Sequence, residues 1–354
     1  LSDIHISKFI KTPQFIFSSR NIIEQYKYAI IDNKTIEINN FIAEPTHIFI
    51  GKGNHPLRGS IKFEISKKDI VINIQKKTQI NKKLFKNVIS NNNVSWLAYY
   101  KDSLGQVKYM YPKLNCDSDL AKFEFARNLK RKLSAFRKQN DIYFNSTNKK
   151  KVQLACAFVL IDKLSLRIGN EKDHLEAETY GACTLLCSHI SINENKSQIT
   201  VDFLGKDSIK CKKTCTLPTN VLNNIKLCKQ DKTPDTQLFH LIDSKCFNRY
   251  LNTLMPGLTA KVFRTCNASR KLCSLLHNFQ TNENPINHFK NSCKKVAILC
   301  NHMKNNSICT TTSKQNYIDP RIIISYARRQ NISYEQLLSP TLLEKYNWAQ
   351  DTES

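Results

Sequence analysis

Near Asn115 the spacing of apolar residues changes, and that change limits the folds open to the chain more than any other feature. Before it lie short β-rich runs, Y-K-Y-A-I-I-D from Tyr26, T-I-E-I-N-N-F-I from Thr35, D-I-V-I-N-I from Asp69, V-S-W-L-A-Y-Y from Val94 and Q-V-K-Y-M-Y from Gln106. After it, Leu120, Phe123, Ala126, Leu129, Leu133 and Phe136 recur at helical intervals over Ser118 to Gln139. A period of two followed by a period near 3.6 predicts an α+β protein, a strand-rich lobe over residues 1–114 and then a mainly helical one. The helical part divides into a core over 115–304, a short connector over 305–313 and a terminal segment over 314–354. No internal repeat interrupts this division.

Charge narrows the partner. The chain carries 54 Lys+Arg against 29 Asp+Glu, a formal net charge of +25 spread along all 354 residues. Such a balance in a globular chain favours a polyanion, with nucleic acid first, because phosphate neutralisation supplies most non-specific affinity. An A+T-rich composition explains the Lys and Asn excess but not the shortage of acids. There is no run of eighteen apolar residues and no secretion-signal pattern, so an intracellular, non-membrane protein is expected. The first residue is Leu1, which suggests a fragment or a processed form. The 13 cysteines contain no C-x-x-C pair and lie in apolar contexts, so they read as reduced core residues. Neither a metal-ligand cluster nor a P-loop is present, and no cofactor is expected.

The basic residues fall at distinctive places. Gly51 to Gly59, G-K-G-N-H-P-L-R-G, holds Lys52, Asn54 and His55 in a tight loop able to approach phosphates closely, although an ordinary surface loop fits the same description. Lys108 lies on the second arm of a hairpin turning at K-D-S-L-G. A row formed by Arg127, Lys130, Arg131, Arg137 and Lys138 is either a solvated helix face or a DNA-backbone contact. A core helix from Lys150 to Ile168 is expected to end at Arg167, with Gly169 as its stop. Lys206 sits in the turn of a second hairpin, and Arg264 in the first turns of a helix over Ala260 to Leu276. His302 falls at the polar end of a helix over Pro285 to Lys304, and the Ser/Thr/Asn stretch after Asn305 reads as a loop. Tyr317 follows, in S-K-Q-N-Y-I-D-P-R, and closing helices run from Pro320 and from Tyr334 to Trp348.

Each of these residues alone has a plain structural explanation, but together they supply what phosphodiester transesterification by a tyrosine needs. A phenol with a pKa near ~10 is inert at neutral pH unless fixed positive charge surrounds it. Two guanidiniums can grip non-bridging oxygens and carry the charge that builds on phosphorus, an imidazole can donate a further hydrogen bond, and a lysine can protonate the departing 5′ oxygen.

Five segments occur in order: L-S-L-R-I-G-N-E-K (Leu164–Lys172), D-F-L-G-K-D-S-I-K (Asp202–Lys210), L-T-A-K-V-F-R-T-C-N-A-S (Leu258–Ser269), V-A-I-L-C-N-H (Val296–His302) and N-Y-I-D-P-R (Asn316–Arg321). They resemble the eukaryotic type IB DNA topoisomerases, as do F-I-G-K-G-N-H-P and D-I-V-I-N in the first lobe. The resemblance implies a clamp-like first lobe and a catalytic second lobe closing as a monomer around duplex DNA. It implies Tyr317 as nucleophile, Arg167, Arg264 and His302 on the scissile phosphate, and Lys206 as general acid. Supercoils of both signs would relax without ATP or metal, in the nucleus.

Three departures qualify it. Only residues 303–316 separate His302 from Tyr317, where the nuclear enzymes insert a long coiled-coil linker, so less restrained strand rotation is expected. Only about 25 residues precede Tyr26, which removes the family's basic tail and much of its upper cap from this sequence. Lys52 stands where the family usually has a minor-groove arginine, beside Asp207 and Asn316, whose counterparts contact camptothecin. Lysine keeps the charge and loses the planar fork, so drug sensitivity is not carried over. A tyrosine recombinase would typically have histidine where Lys261 stands, and a non-catalytic DNA-binding relic would not be expected to retain all five residue types.

Overall fold

The computed structural model describes residues 28–31, 34–39, 46–75, 78, 80–112, 117–172, 175–280, 283–304 and 307–350. Two compact units divide the chain, Leu1–Asn115 and Cys116–Ser354.

The first unit is built from strands β1 (Tyr28–Ile31), β2 (Lys34–Asn39), β3 (His47–Ile48), β4 (Ile61–Lys62), β5 (Ile70–Asn73), β6 (Asn87–Ile89), β7 (Ala98–Lys101) and β8 (Val107–Pro112). Six form one sheet in the order β1-β2-β8-β7-β5-β6, and β3 pairs with β4. All pairs are antiparallel except β5 with β6. Alternation puts Ile70, Ala98, Tyr100 and Met110 into a buried cluster with Ile65, Phe85 and Leu97. The expected β7–β8 hairpin is present: Asp102 accepts backbone hydrogen bonds from Leu104 (3.0 Å) and Gln106 (2.8 Å) and pairs with Lys62 at 2.8 Å.

The second unit runs α1 (Asp117–Phe144), α2 (Lys149–Leu164), β9 (Ile190–Asn193), β10 (Gln198–Gly205), β11 (Ile209–Thr216), α3 (Thr219–Lys229), α4 (Ser244–Leu254), α5 (Ala260–His277), α6 (Pro285–Leu299), β12 (Met303–Lys304), β13 (Ser307–Ile308), α7 (Thr310–Asn316), α8 (Pro320–Arg329) and α9 (Pro340–Lys345). Caps set several starts. Asn148 accepts from Lys150 and Lys151, and Asp319 accepts from Arg321 with Pro320 at the first helical position. Helix α1 buries Phe123, Ala126, Leu129, Leu133 and Phe136 along one stripe. Of the basic row on its other side, Arg127 is bonded to Asp319 at 2.9 Å and Arg137 to Asp162 at 2.8 Å, so those two serve packing. Helix α5 joins the two buried clusters of this unit: Ala260, Phe263 and Cys266 belong to one, Ala268, Leu272 and Leu276 to the other.

Four local expectations are corrected. Helix α2 stops at Leu164 because Ser165 turns left-handed (φ 52, ψ 39), so Arg167 lies beyond the helix. Helix α6 stops at Leu299, so His302 also lies past its helix. The Ser/Thr/Asn stretch is not a loop throughout, since β13 and α7 occupy much of it. The second closing helix is broken into a 3-10 turn, α9 and another 3-10 turn. No helix among the described residues is long and apolar enough to cross a membrane.

Candidate active site

Two helix ends and one arginine make the floor of the site. Past α6, Asn301 takes a left-handed conformation (φ 53), an option asparagine tolerates better than most residues. It lets Asn301 donate to the Ile298 carbonyl (3.0 Å) and His302 to that of Ala297 (2.9 Å), the paired bonds of a Schellman motif. His302 is thereby fixed three residues past the end of a rigid helix. The carbonyl of Cys300 is left over, and Arg264 Nη2 donates to it at 2.7 Å. Arg264 Nη1 donates to the carbonyl of Ser165, just past α2, at 2.5 Å. One buried guanidinium thus ties α5 to the ends of α2 and α6, while its Nε has no partner.

His302 is 4% exposed. Its Nε2 accepts from Arg264 Nη2 at 3.2 Å, which leaves Nδ1–H to donate to Ser313 Oγ at 2.7 Å. Burial first, then the charges of Arg264, Arg167 and Lys213, pull its pKa down to about 3, so the imidazole is neutral at physiological pH.

Tyr317 follows α7. Its amide donates to Ser313 O at 2.9 Å, and its carbonyl accepts from Ser269 Oγ at 3.2 Å. Its ring lies 4.9 Å from the His302 ring and 5.2 Å from Arg264 Cζ. Burial raises the phenol's pKa and is the largest single influence, but the charges and hydrogen bonds of Arg264 and Arg167 together outweigh it, and the hydroxyl ends below its ordinary value. A buried tyrosine normally moves the other way, as Tyr250 does, pushed up by burial.

Arg167 is held through its backbone, its carbonyl accepting from Ala182 N at 2.8 Å, with Cys183 N on the carbonyl of Ile168 at 2.7 Å. Gly169 and Gly181 allow this approach: a Cβ added at Gly181 would meet Gly169 N at 2.3 Å. Lys206 is exposed at the β10–β11 turn, where Asp207 (φ 65) and Ser208 (φ 57) are both left-handed. Arg167, Lys206, Asp207, Arg264 and His302 border one cavity of about 100 Å³, which Tyr317 does not line.

The remaining expected residues are not among those that line this cavity. Asn316 is half-buried at the end of α7 and donates to Thr312 O at 3.3 Å. Lys52, Asn54, His55 and Lys108 belong to the first unit. There Gly51 and Gly53 have positive φ, Phe49 packs edge-on against His55 at 4.8 Å, and Arg58 Nε bonds Ile50 O at 2.8 Å, which gives the loop a defined shape. Lys108 faces Tyr100 across the hairpin.

Ser313, Asn267 and Lys213 were not expected. Ser313 orients His302, and Asn267 Nδ2 donates to Asp162 O at 2.7 Å near the end of α2. Lys213 Nζ donates to Leu164 O at 2.6 Å and also to Leu299 O. Parity on β11 would have revealed it, since Lys213 shares the inward face with Cys211 and Cys215. Among the described residues no group of three or more His, Cys, Asp or Glu could hold a metal ion.

The family model for the eukaryotic DNA topoisomerase I catalytic core matches residues 111–334, and that for the DNA-binding fragment of the same enzymes matches residues 14–112. DNA topoisomerase 1 of Caenorhabditis elegans is 32% identical over 93% of this chain and 52% of its own length. The Homo sapiens protein of that name is 29% identical over 94% of this chain and 56% of its own length. DNA topoisomerase I, mitochondrial, of Rattus norvegicus is 30% identical over 92% of this chain and 71% of its own length. The chain therefore spans about half the length of the worm and human proteins. With one family's core and DNA-binding models together covering nearly all of its sequence, and the tyrosine, arginines, histidine and lysine of its second unit gathered as described, the chain belongs to the eukaryotic DNA topoisomerase I family.

Proposed function

We propose that the chain is a type IB DNA topoisomerase that relaxes positive and negative supercoils in duplex DNA, acting as a monomeric clamp. Tyr317 Oη gives up its proton to water and attacks the scissile phosphorus, the P–O5′ bond breaks, and Lys206 donates a proton to the leaving 5′ oxygen, a proton it regains when the 5′ hydroxyl attacks in resealing. Arg167, Arg264 and His302 hold the non-bridging oxygens as charge accumulates there. The strand rotates, the 5′ hydroxyl attacks the 3′-phosphotyrosyl bond, and Tyr317 leaves. Because that covalent bond conserves the energy of the phosphodiester, the chemistry requires neither ATP nor a metal ion.

The observation that carries this reading is the packing of the Tyr317 ring against both the Arg264 guanidinium and the His302 imidazole. Lys52, Asn54, His55, Lys108, Asp207 and Asn316 are assigned to DNA contact. We place the protein in the nucleus; the relative named mitochondrial makes an organelle the competing location, which imaging of a tagged chain decides.

The test is relaxation of negatively and positively supercoiled plasmid in EDTA without ATP, wild type beside Tyr317→Phe. Relaxation of both signs by the wild type alone supports the reading. Binding without relaxation by both proteins replaces it with a DNA-binding role, and an active Tyr317→Phe removes Tyr317 as nucleophile.

A further inference from the structure

Helices α2 and α6 both stop at the edge of the cavity, and each leaves carbonyls at its end that no further turn of helix can satisfy. At α6 the Schellman bonds satisfy Ala297 and Ile298, and Arg264 satisfies Cys300. At α2 Asn267 satisfies Asp162, and Arg264 satisfies Ser165. The carbonyls of Leu299 and Leu164 both accept from the single ammonium of Lys213. Arg264 and Lys213 therefore bridge the same two helix ends at consecutive carbonyls, 164 and 165 on one, 299 and 300 on the other. Lys213 reaches them from β11, the strand that follows the turn bearing Lys206. It also lines the cavity shared by Arg167, Lys206, Arg264 and His302.

We infer that Lys213 is a positioning residue for the reaction proposed above, the cation that locks the Arg167-bearing and His302-bearing helix ends and the Lys206 hairpin into one frame. A cation at two helix C-termini also meets the negative ends of two dipoles, so the lock depends on its charge. The groups facing it are Cys211 on its own strand, Arg264 on α5, Cys300 at the end of α6 and Arg167 beyond α2. Burial is the largest influence on Lys213 and pulls its pKa down to about 8, so the lock loosens as pH rises through that value.

The test is single-turnover cleavage by the full chain of a short duplex whose downstream fragment diffuses away, measured from pH 6.5 to 9.5. Lys213→Met is expected to slow formation of the covalent adduct by about 10²-fold, the usual effect of a small misplacement, with DNA affinity near wild type and a lower thermal midpoint, since the carbonyls of Leu164 and Leu299 lose their donor. Lys213→Arg keeps a charge across the range and is expected to restore most of the rate and to abolish the alkaline fall seen in the wild type. A Lys213→Met rate within about twofold of wild type would overturn the inference, and so would the same alkaline fall in Lys213→Arg. If Lys213→Met fails to fold, the two pH profiles decide alone. A wild type that forms no adduct at all overturns the proposed reaction on which this inference rests.

Discussion

Arg264 and His302 are 3% and 4% exposed, and all their polar side-chain atoms except Arg264 Nε are bound to the carbonyls of Ser165 and Cys300, to Ser313 Oγ or to each other. Lys206, which lines the same cavity, is exposed on a three-residue turn, and its side chain makes no hydrogen bond or ion pair among the described residues. The difference fits the chemistry proposed for this site. Groups that stabilise charge in a transition state act best when already oriented, so that no reorganisation accompanies the reaction. Folding has oriented them here, through helix caps and a buried guanidinium. A proton donor must instead meet a leaving oxygen that moves away as its bond breaks, and an unpaired lysine on a hairpin tip has that reach. The tip is itself unusual, because two successive residues other than glycine in left-handed conformations cost of order 1–2 kcal/mol each.

Arg264→Ala puts the most strain on this comparison. It removes the phosphate ligand proposed above and leaves the carbonyls of Ser165 and Cys300 without their donor, so catalysis and folding should suffer together. Adduct formation is expected to fall by about 10³-fold or more, in line with loss of a preorganised charge, and the thermal midpoint by several degrees. Stopped single-turnover kinetics and calorimetry on the same preparation check both. An unchanged midpoint would mean that the buried half is not held together by its catalytic arginine.

Lys206→Ala should separate what Arg264→Ala joins. A loss of about 10²-fold or more in cleavage, the range for general acid catalysis, is expected with no change in midpoint. A substrate with sulfur in place of the bridging 5′ oxygen needs little protonation to leave, so it should be cleaved by Lys206→Ala almost as fast as by wild type. Equal defects on both substrates would remove Lys206 from the role of acid.

The residues of this site were more legible than the geometry that holds them. Tyr317, Arg167, Lys206, Arg264 and His302 stand out as short ordered strings, and the change of period near Asn115 foretells strands before helices. Helix ends were not foretold. Apolar spacing continues through Leu164 and Leu166, so Gly169 looked like the stop, whereas Ser165 turns the chain four residues earlier. At α6 the cue was Asn301, the kind of residue that accepts a left-handed cap, but the apolar run hid it. Helix α7 was unreadable locally: a Thr/Ser/Asn stretch has weak helix propensity, and its end is held from elsewhere, with Tyr346 Oη on the carbonyls of Lys314 and Gln315. Tertiary contact overrode local preference there.

The buried half also makes a prediction for acid stability. His302 titrates at about 3 in the folded protein against about 6.5 when unfolded. Between those values the unfolded chain binds the proton more readily, so stability is retained above about pH 6.5 and lost as pH falls toward 3, by about 1.4 kcal/mol for each unit. His189 and His240 are lowered by burial as well and act in the same direction. The diagnostic quantity is thus the difference between wild type and His302→Gln in urea unfolding from pH 7 to 5. A difference that does not vary with pH would show that His302 is not held neutral by its surroundings.

The smallest expected effect lies in the one hydroxyl that joins His302 to the nucleophile's helix. With Nε2 accepting from Arg264, the neutral imidazole has no proton to offer a phosphate oxygen on that side. It gains one if Ser313 turns its hydroxyl to donate to Nδ1, which moves the ring's own proton to Nε2, and serine can do this because a hydroxyl both donates and accepts. Ser313→Ala removes that option and leaves Nδ1 facing a methyl group in a buried setting. Cleavage is expected to slow several-fold with DNA affinity unchanged, and Ser313→Thr to recover part of the loss, since it returns the hydroxyl with one added methyl. Nitrogen-resolved NMR of His302 with DNA bound reports the tautomer directly. An Nε2–H signal that persists in Ser313→Ala would break the link between the serine and the switch, and the preformed half of the site would then include His302 without its neighbour's help.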